Sequence, residues 1–316
     1  MDRPLLHSLV ALSLVLLAAC SRGKDPAPAE ESPRPVPAAT PASFRQCPAT
    51  PARAPSTQPA RKKLFVVVLE NAAYENALSR PFLAGLARDG ALLTNFSAIT
   101  HPSQPNYFAL TAGDTFGKKN ELVTLDVPHL GDLVEQAGKS WKTYAEGYPG
   151  GCFLGEELGL YARRHLPFLS YANVQRDPAR CARVVPHCQL LADIESGELP
   201  DFSLYIPDNY NNGHNDGTEN GVGTADRWLQ TELGPLLRDR SFADDTLFVV
   251  TFDENDNSPG NQVYTALLGD SVQAGSTSDL PYDHYSLLRL IESYLGLGSL
   301  GRNDATAREI TGIWKR

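Results

Sequence analysis

The 316-residue chain has little methionine, little basic charge and no zinc-type cysteine pair. Its single Met excludes a methionine-lined groove of the kind that adapts to many partners. Its 28 Lys and Arg are outnumbered by 37 Asp and Glu, for a net charge of −9. A nucleic-acid-binding surface needs a basic footprint, so none is expected. No C-x-x-C pair occurs, which argues against a zinc site. No G-x-S-x-G elbow occurs either, which argues against a serine carboxyl-hydrolase. Past the N-terminus no apolar run is long enough to span a bilayer. What is present is 42% hydrophobic and 21% charged residues, enough for a sizeable core and unlike a disordered chain.

The first 19 residues read as an export signal. Arg3 gives a short positive start, and residues 9–17 form an apolar run of signal length, too short to cross a membrane. The run ends in Leu17-Ala18-Ala19-Cys20, which resembles the lipobox of bacterial lipoproteins. That resemblance implies cleavage before Cys20, a lipid anchor on its thiol, and display on the bacterial cell envelope, at the outer membrane or periplasmic face. Residues 20–61 read as a disordered tether. Ten of the 24 prolines lie between 21 and 60, among Ala, Ser and charged residues, and such a stretch cannot offset its ordering entropy by burial. With Cys20 set aside, Cys47, Cys152, Cys181 and Cys188 remain. In an oxidising compartment four thiols predict two disulfides, in any of three pairings.

The folded part is expected over 62–316. Residues 64–69 (LFVVVL) and 245–252 (DTLFVVTF) are near-continuous apolar runs, the pattern of strands buried on both faces. Further strands are predicted at 91–99, 140–144, 202–206 and 263–268. Helices are predicted at 77–88, 104–111, 130–138, 225–238 and 285–295. The alternation predicts an α/β domain with a mostly parallel sheet sandwiched by helices. Residues 147–190 break the pattern and hold three of the four remaining cysteines. They read as an irregular insertion near the sheet's C-terminal edge, pinned by disulfides.

In open α/β sheets ligands bind beyond the carboxyl ends of the strands. Glu70 and Asn71 follow the first apolar run, Asp253 and Glu254 follow the second, and Asp208 with a polar loop containing His214 follows 202–206. Carboxylate and amide oxygens discharged at one end suit a hard cation. Ser103 falls at a helix start, where it can cap the helix or, beside an anion-binding helix terminus, act as a nucleophile. Two decoys fail on context. Residues 296–301 fit G-x-G-x-x-G but follow a late helix, not the first strand of a βαβ unit. Gly269-Asp270-Ser271 follows a late strand with no partner block.

Five segments in order, LENAAYENAL, ITHPSQPNYFALTAGD, PDNYNNGHNDG, FVVTFDEND and YDHYSLLRLIESYLGLG, resemble the phosphoesterase family of bacterial acid phosphatases and phospholipases C. They span residues 62 to 300. The resemblance implies an alkaline-phosphatase-like fold and metal-dependent hydrolysis of phosphoric esters through a phosphoserine. It implies a phosphoester substrate and one divalent metal ion held by Glu70, Asn71, Ser103, Asp253 and Glu254. Glu254 is a departure, because some members carry Asp there. Ser103 would be the nucleophile, and His214 and His284 would contact the phosphoryl group or protonate the leaving oxygen. Asn106 and His101 would bind phosphate oxygens, and Asp208 would face substrate or a second metal. His129, His165 and His187 have no strand-end context and read as surface or cap residues. The modest length favours a small phosphomonoesterase. The alternatives are a phospholipase C-like phosphodiesterase and a non-catalytic surface-binding lipoprotein.

Overall fold

A computed structural model describes residues 40–48, 62–214 and 221–316. The expected signal peptide, Cys20 and most of the tether lie outside the described residues. Eight strands form the main sheet: β1 (Lys63–Leu69), β2 (Ala91–Leu93), β3 (Trp141–Ala145), β4 (Val184–Pro186), β5 (Phe202–Ile206), β6 (Thr246–Phe252), β7 (Thr265–Leu268) and β8 (Ser276–Ser278). Their order across the sheet is β8-β2-β7-β6-β1-β5-β3-β4.

The centre of the sheet is where the sequence is most apolar. Leu64 through Leu69 and every residue of β6 are buried. Both faces of these strands are therefore covered, which explains the unbroken Val and Phe run. Burial of each Val or Phe side chain contributes about 1.5–3 kcal/mol. Phe65 stacks on Phe248 of the adjacent β6 and, across β5, on Tyr144 of β3, with centroids 5.7 and 6.4 Å away, so aromatic packing ties β3, β1 and β6 together. β1 runs parallel to β5 and β6, in register Leu69↔Phe252 on the β6 side. That register decides the site, because it sets Glu70 beside Asp253.

The sheet is mostly parallel, as the alternation predicts. β7 alone runs antiparallel to both of its neighbours. The chain leaves β6 and returns to β7 with no helix between them, and a parallel return would need a helical crossover.

Several boundaries differ from expectation for local reasons. The helix expected at 77–88 is two helices, Tyr74–Leu78 and Pro81–Asp89. Pro81 forces Arg80 into extended geometry, which breaks the run. The strand expected at 91–99 divides into β2 and Phe96–Ser97, which pairs with Tyr282–Asp283. The helix expected at 225–238 starts at Gly221, loosens into a π turn over Leu229–Leu233 and resumes at Gly234–Leu237. The stretch 147–190 is not wholly irregular. It supplies β4, which extends the sheet beside β3.

Two disulfides hold the periphery, Cys152–Cys181 and Cys47–Cys188. The second alters the reading of the tether, because residues 40–48 lie on the body of the protein. Ala42 N–H donates to Asp208 Oδ2 (2.8 Å), and Asn211 Nδ2 donates to Ala42 O (3.0 Å). Ser43 Oγ and Phe44 N–H both donate to the Glu232 carboxylate. This strap has no apolar run of its own, and its order comes from the crosslink and from acceptors far away in sequence. Closing a loop between residues 141 apart removes much unfolded-state entropy. Cys47→Ser is predicted to lower unfolding free energy by about 2–5 kcal/mol, measured by urea titration against the unmodified chain. No change in the midpoint would mean that the crosslink carries no stability.

Candidate active site

Three strand ends and one helix start build the site. β1 ends at Glu70 and β6 ends at Asp253 and Glu254. The backbone sews these ends together: Asp253 N–H donates to Leu69 O (2.8 Å), and Glu70 N–H donates to Asn212 O (2.8 Å) in the loop after β5. Gly213 in that loop has φ +99, a conformation that favours glycine. It lets the chain turn back over Glu70. Opposite stands the helix Ser103–Ala112.

Ser103 does not cap this helix, since Pro102 holds the cap position. Its hydroxyl, 5% exposed as a residue, lies 3.1 Å from Glu70 Oε2 and 2.9 Å from Glu254 Oε1. One proton is thus shared between two carboxylates. Tyr107, one helical turn on, donates its hydroxyl to Glu70 Oε1 at 2.5 Å. Asn71 Nδ2 donates to Glu254 Oε1 (3.0 Å) and Asn255 O (3.2 Å), and His101 Nδ1 pairs with Glu254 Oε2.

Burial raises the pKa of all three carboxyl groups. For Glu70 burial outweighs the hydrogen bonds from Tyr107 and Ser103. Asp253 is pushed well up by burial and then by the charges of Glu70 and Glu254. Burial is also the main cause for Glu254. Both Asp253 carboxylate oxygens and Asn71 Oδ1 are buried with no hydrogen-bond donor among the described residues. Orphaned acceptors of this kind are costly unless something positive meets them. The donor set is all oxygen: Glu70, Asn71, Ser103, Asp253 and Glu254. It fits a hard divalent cation, although oxygens of its three carboxylates do not all lie within 4.8 Å of one another. Cys47, His187 and Cys188 do meet that distance, but the two sulfurs are bonded to each other.

A cavity of about 300 Å³ opens over Ser103 and Glu70. Its other lining residues are Asn120, Arg164, His165, Asn209, Asn212 and His214. His214 is exposed and its N–H donates to Asn212 Oδ1 (3.1 Å).

Three expected site residues face elsewhere. Asn106 is buried, its Oδ1 accepting from the Ile99 and Thr100 N–H groups and its Nδ2 donating to Thr100 O. It braces the turn before Ser103 and has no free group for a phosphate. Asp208 Oδ1 accepts from Tyr210 and Asn211 N–H, and its Oδ2 accepts from Ala42 N–H. Its oxygens are spent on backbone, so its position supports neither a substrate contact nor a second metal. Beside it the buried Glu146 is raised to about 8 by burial and by the charge of Asp208. His284 is buried behind the acidic pair, with Nε2 donating to the Asp253 carbonyl oxygen at 2.6 Å. It props up Asp253, and it does not line the cavity.

Sequence reasoning missed Asn120, Arg164 and His165. His165 is buried, not superficial. Its Nε2 lies 3.4 Å from Glu70 Oε1 and its ring stacks on Tyr107 at 5.7 Å. Burial holds its pKa well below the usual histidine range, with Arg164 adding to the effect. No periodic or motif signal marks either residue, because the insertion carries them.

Comparison with known proteins agrees with this geometry. The fold is that of the alkaline phosphatase superfamily. It resembles a superfamily member from Vibrio parahaemolyticus (TM-score 0.57, 16% identity, 81% of this chain and 72% of that one). It also resembles a phosphonate monoester hydrolase from Silicibacter pomeroyi (TM-score 0.52, 12% identity, 81% and 78%). The phosphoesterase family profile matches residues 60–298, and the chain belongs to that family. A probable acid phosphatase of Kluyveromyces lactis is 34% identical over 78% of this chain and 61% of its own length. A phosphatidylinositol-3-phosphatase of Mycobacterium tuberculosis is 33% identical over 83% and 85%. The chain spans about three fifths of the length of the fungal acid phosphatases it matches.

Asn106→Ala is predicted to act on folding and not on substrate. It leaves two backbone N–H groups without their acceptor, so unfolding free energy should fall by about 1–3 kcal/mol. Thermal melts and the Kd for inorganic phosphate check this. A normal melt with weakened phosphate binding would return Asn106 to the substrate site.

Proposed function

We propose that the chain is a metal-dependent phosphomonoesterase with Ser103 as nucleophile. The observation that carries this reading is the placement of the Ser103 hydroxyl, at a helix N-terminus, between two buried carboxylates and under a cavity. The names of the relatives, acid phosphatases and a phosphatidylinositol-3-phosphatase, support monoester chemistry.

When bound by Glu70, Asn71, Ser103, Asp253 and Glu254, a divalent cation would neutralise charge on the phosphoryl oxygens and acidify the serine hydroxyl. The rest falls to the chain's own residues. The helix Ser103–Ala112 directs its positive end toward the phosphoryl group. Ser103 Oγ attacks phosphorus in line with the leaving oxygen, and its proton passes to the carboxylate oxygen 2.9 Å away on Glu254. The P–O bond to the leaving group breaks, and His214 at the cavity wall delivers a proton to that oxygen. Water then attacks the phosphoserine, releasing inorganic phosphate and restoring the hydroxyl. Tyr107 and His101 hold Glu70 and Glu254 in place throughout.

We propose further that the protein is lipid-anchored to the cell envelope through Cys20. The support is the Leu17-Ala18-Ala19-Cys20 sequence. Cys20→Ala is expected to move the protein from the membrane fraction to the soluble fraction. Unchanged membrane association would remove the anchor.

Ser103→Ala is predicted to lower turnover of p-nitrophenyl phosphate by about 10³-fold or more with an unchanged melt. Chelation should abolish the wild-type rate, and added divalent cation should restore it. Near-normal turnover by the variant would remove the nucleophile assignment. Faster hydrolysis of bis(p-nitrophenyl) phosphate than of the monoester would favour the phosphodiesterase reading.

A further inference from the structure

We infer that Arg164, carried into the cavity by the disulfide-pinned insertion, binds the charged phosphoryl oxygens and sets a preference for monoesters over diesters. The inference rests on the phosphoesterase reading above and deepens it.

Among the described residues, Arg164 is the only Lys or Arg lining the cavity over Ser103. The remaining charge there is acidic, from Glu70 in the wall and Glu254 beneath Ser103. A phosphomonoester carries about two negative charges near neutral pH, and a diester carries one. The extra charge calls for a fixed cation in the cavity lining, and Arg164 is placed to supply it. A guanidinium suits this role because it stays charged and presents a planar fork to two oxygens at once.

The local structure holds Arg164 in place for this task. It belongs to the 3₁₀ turn Arg163–His165, whose three side chains point in different directions. Arg163 turns into the insertion and donates to Leu154 O, Val123 O and Leu169 O at 2.7, 3.0 and 3.1 Å. His165 turns onto Glu70. Arg164 lies between them with its side chain 29% exposed, and Nη1 is 2.5 Å from Oε1 of the exposed Glu157. One edge of the guanidinium is thus steadied by a solvated carboxylate, and no other hydrogen bond to it is found among the described residues. A partner at the surface is readily exchanged for a substrate oxygen, since such pairs contribute little.

The test compares the full chain with Arg164→Ala, Arg164→Lys and Glu157→Gln. The readouts are kcat/KM for p-nitrophenyl phosphate and for its bis ester, and the Kd for inorganic phosphate by calorimetry. Arg164→Ala is expected to lose about 10²–10³-fold on the monoester and less than about tenfold on the diester. Its phosphate Kd should rise by at least about tenfold. Arg164→Lys, which keeps the charge but not the fork, should fall between. Glu157→Gln should stay within about fivefold of the unmodified chain on both esters. Equal losses on the two esters in Arg164→Ala would overturn the inference, and so would an unchanged phosphate Kd. A monoester loss in Glu157→Gln matching that of Arg164→Ala would also overturn it, showing that the ion pair acts structurally. If the unmodified chain hydrolysed neither ester, the catalytic reading would fail. The phosphate titration alone would then decide the role of Arg164.

Discussion

Three carboxyl groups buried beside one serine hydroxyl set the terms for the rest of the molecule. Glu70 closes β1, and Asp253 and Glu254 close β6. The parallel register of those strands leaves the groups no room to move apart. Taking a carboxylate out of water costs on the order of several kcal/mol even after relaxation. The neighbouring donors offset only part of it: one tyrosine hydroxyl, one shared serine proton, one amide and one imidazole. Such an arrangement holds only on a rigid base, and the apolar run of β1 packed between β5 and β6 supplies one. The same burial gives the oxygens their affinity for positive charge. Solvated carboxylates would be content with water, whereas buried ones raise their own pKa until a cation or a proton arrives.

The periphery answers to that centre. On the proposed reading an anionic substrate is repelled by acidic walls, and the positive side chain in the cavity lining, Arg164, comes from the insertion. It has short helices, 3₁₀ turns and a two-residue hairpin, so regular backbone bonding gives it little stability. Cys152–Cys181 closes it internally, and Cys188 at its end is crosslinked to the N-terminal strap. The strap in turn occupies Asp208 and Asn211, in the loop that carries Asn209, Asn212 and His214. Two walls of the cavity therefore share one set of crosslinks, and a loosened strap reaches both.

The central strands and the acidic strand ends were legible because local sequence and global position agree there. A six-residue apolar run has few other folded fates, and the residue after such a strand falls where α/β sheets place ligands. Ser103 was legible only jointly with the other segments, since a serine at a helix start is ordinarily a cap. Asn106 was placed in the site by its proximity to Ser103, Asp208 by its strand-end position and His284 by the family resemblance. Side-chain direction decided otherwise. Asn106 and Asp208 spend their oxygens on nearby backbone N–H groups, the ordinary habit of Asn and Asp at turns. His284 lies one layer behind, against a carbonyl. Arg164 and His165 left no trace in any periodic pattern, because their position depends on disulfide pairing and on the anchoring of Arg163. Those are tertiary facts that the order of residues does not announce.

The split between strand ends and insertion also separates two tasks. In the proposed reaction bond breaking falls to Ser103 and the carboxylates, which stand at the ends of the buried central strands. Recognition of what is attached to the phosphate depends on side chains borne by crosslinked loops. Such loops can change length and sequence without disturbing the core beneath them. The net charge of −9 adds a constraint. It disfavours a phosphate ester at long range, but salt screens that field beyond about 8–10 Å. On the proposed reading, selection falls to the cavity, where one guanidinium stands against the acidic groups.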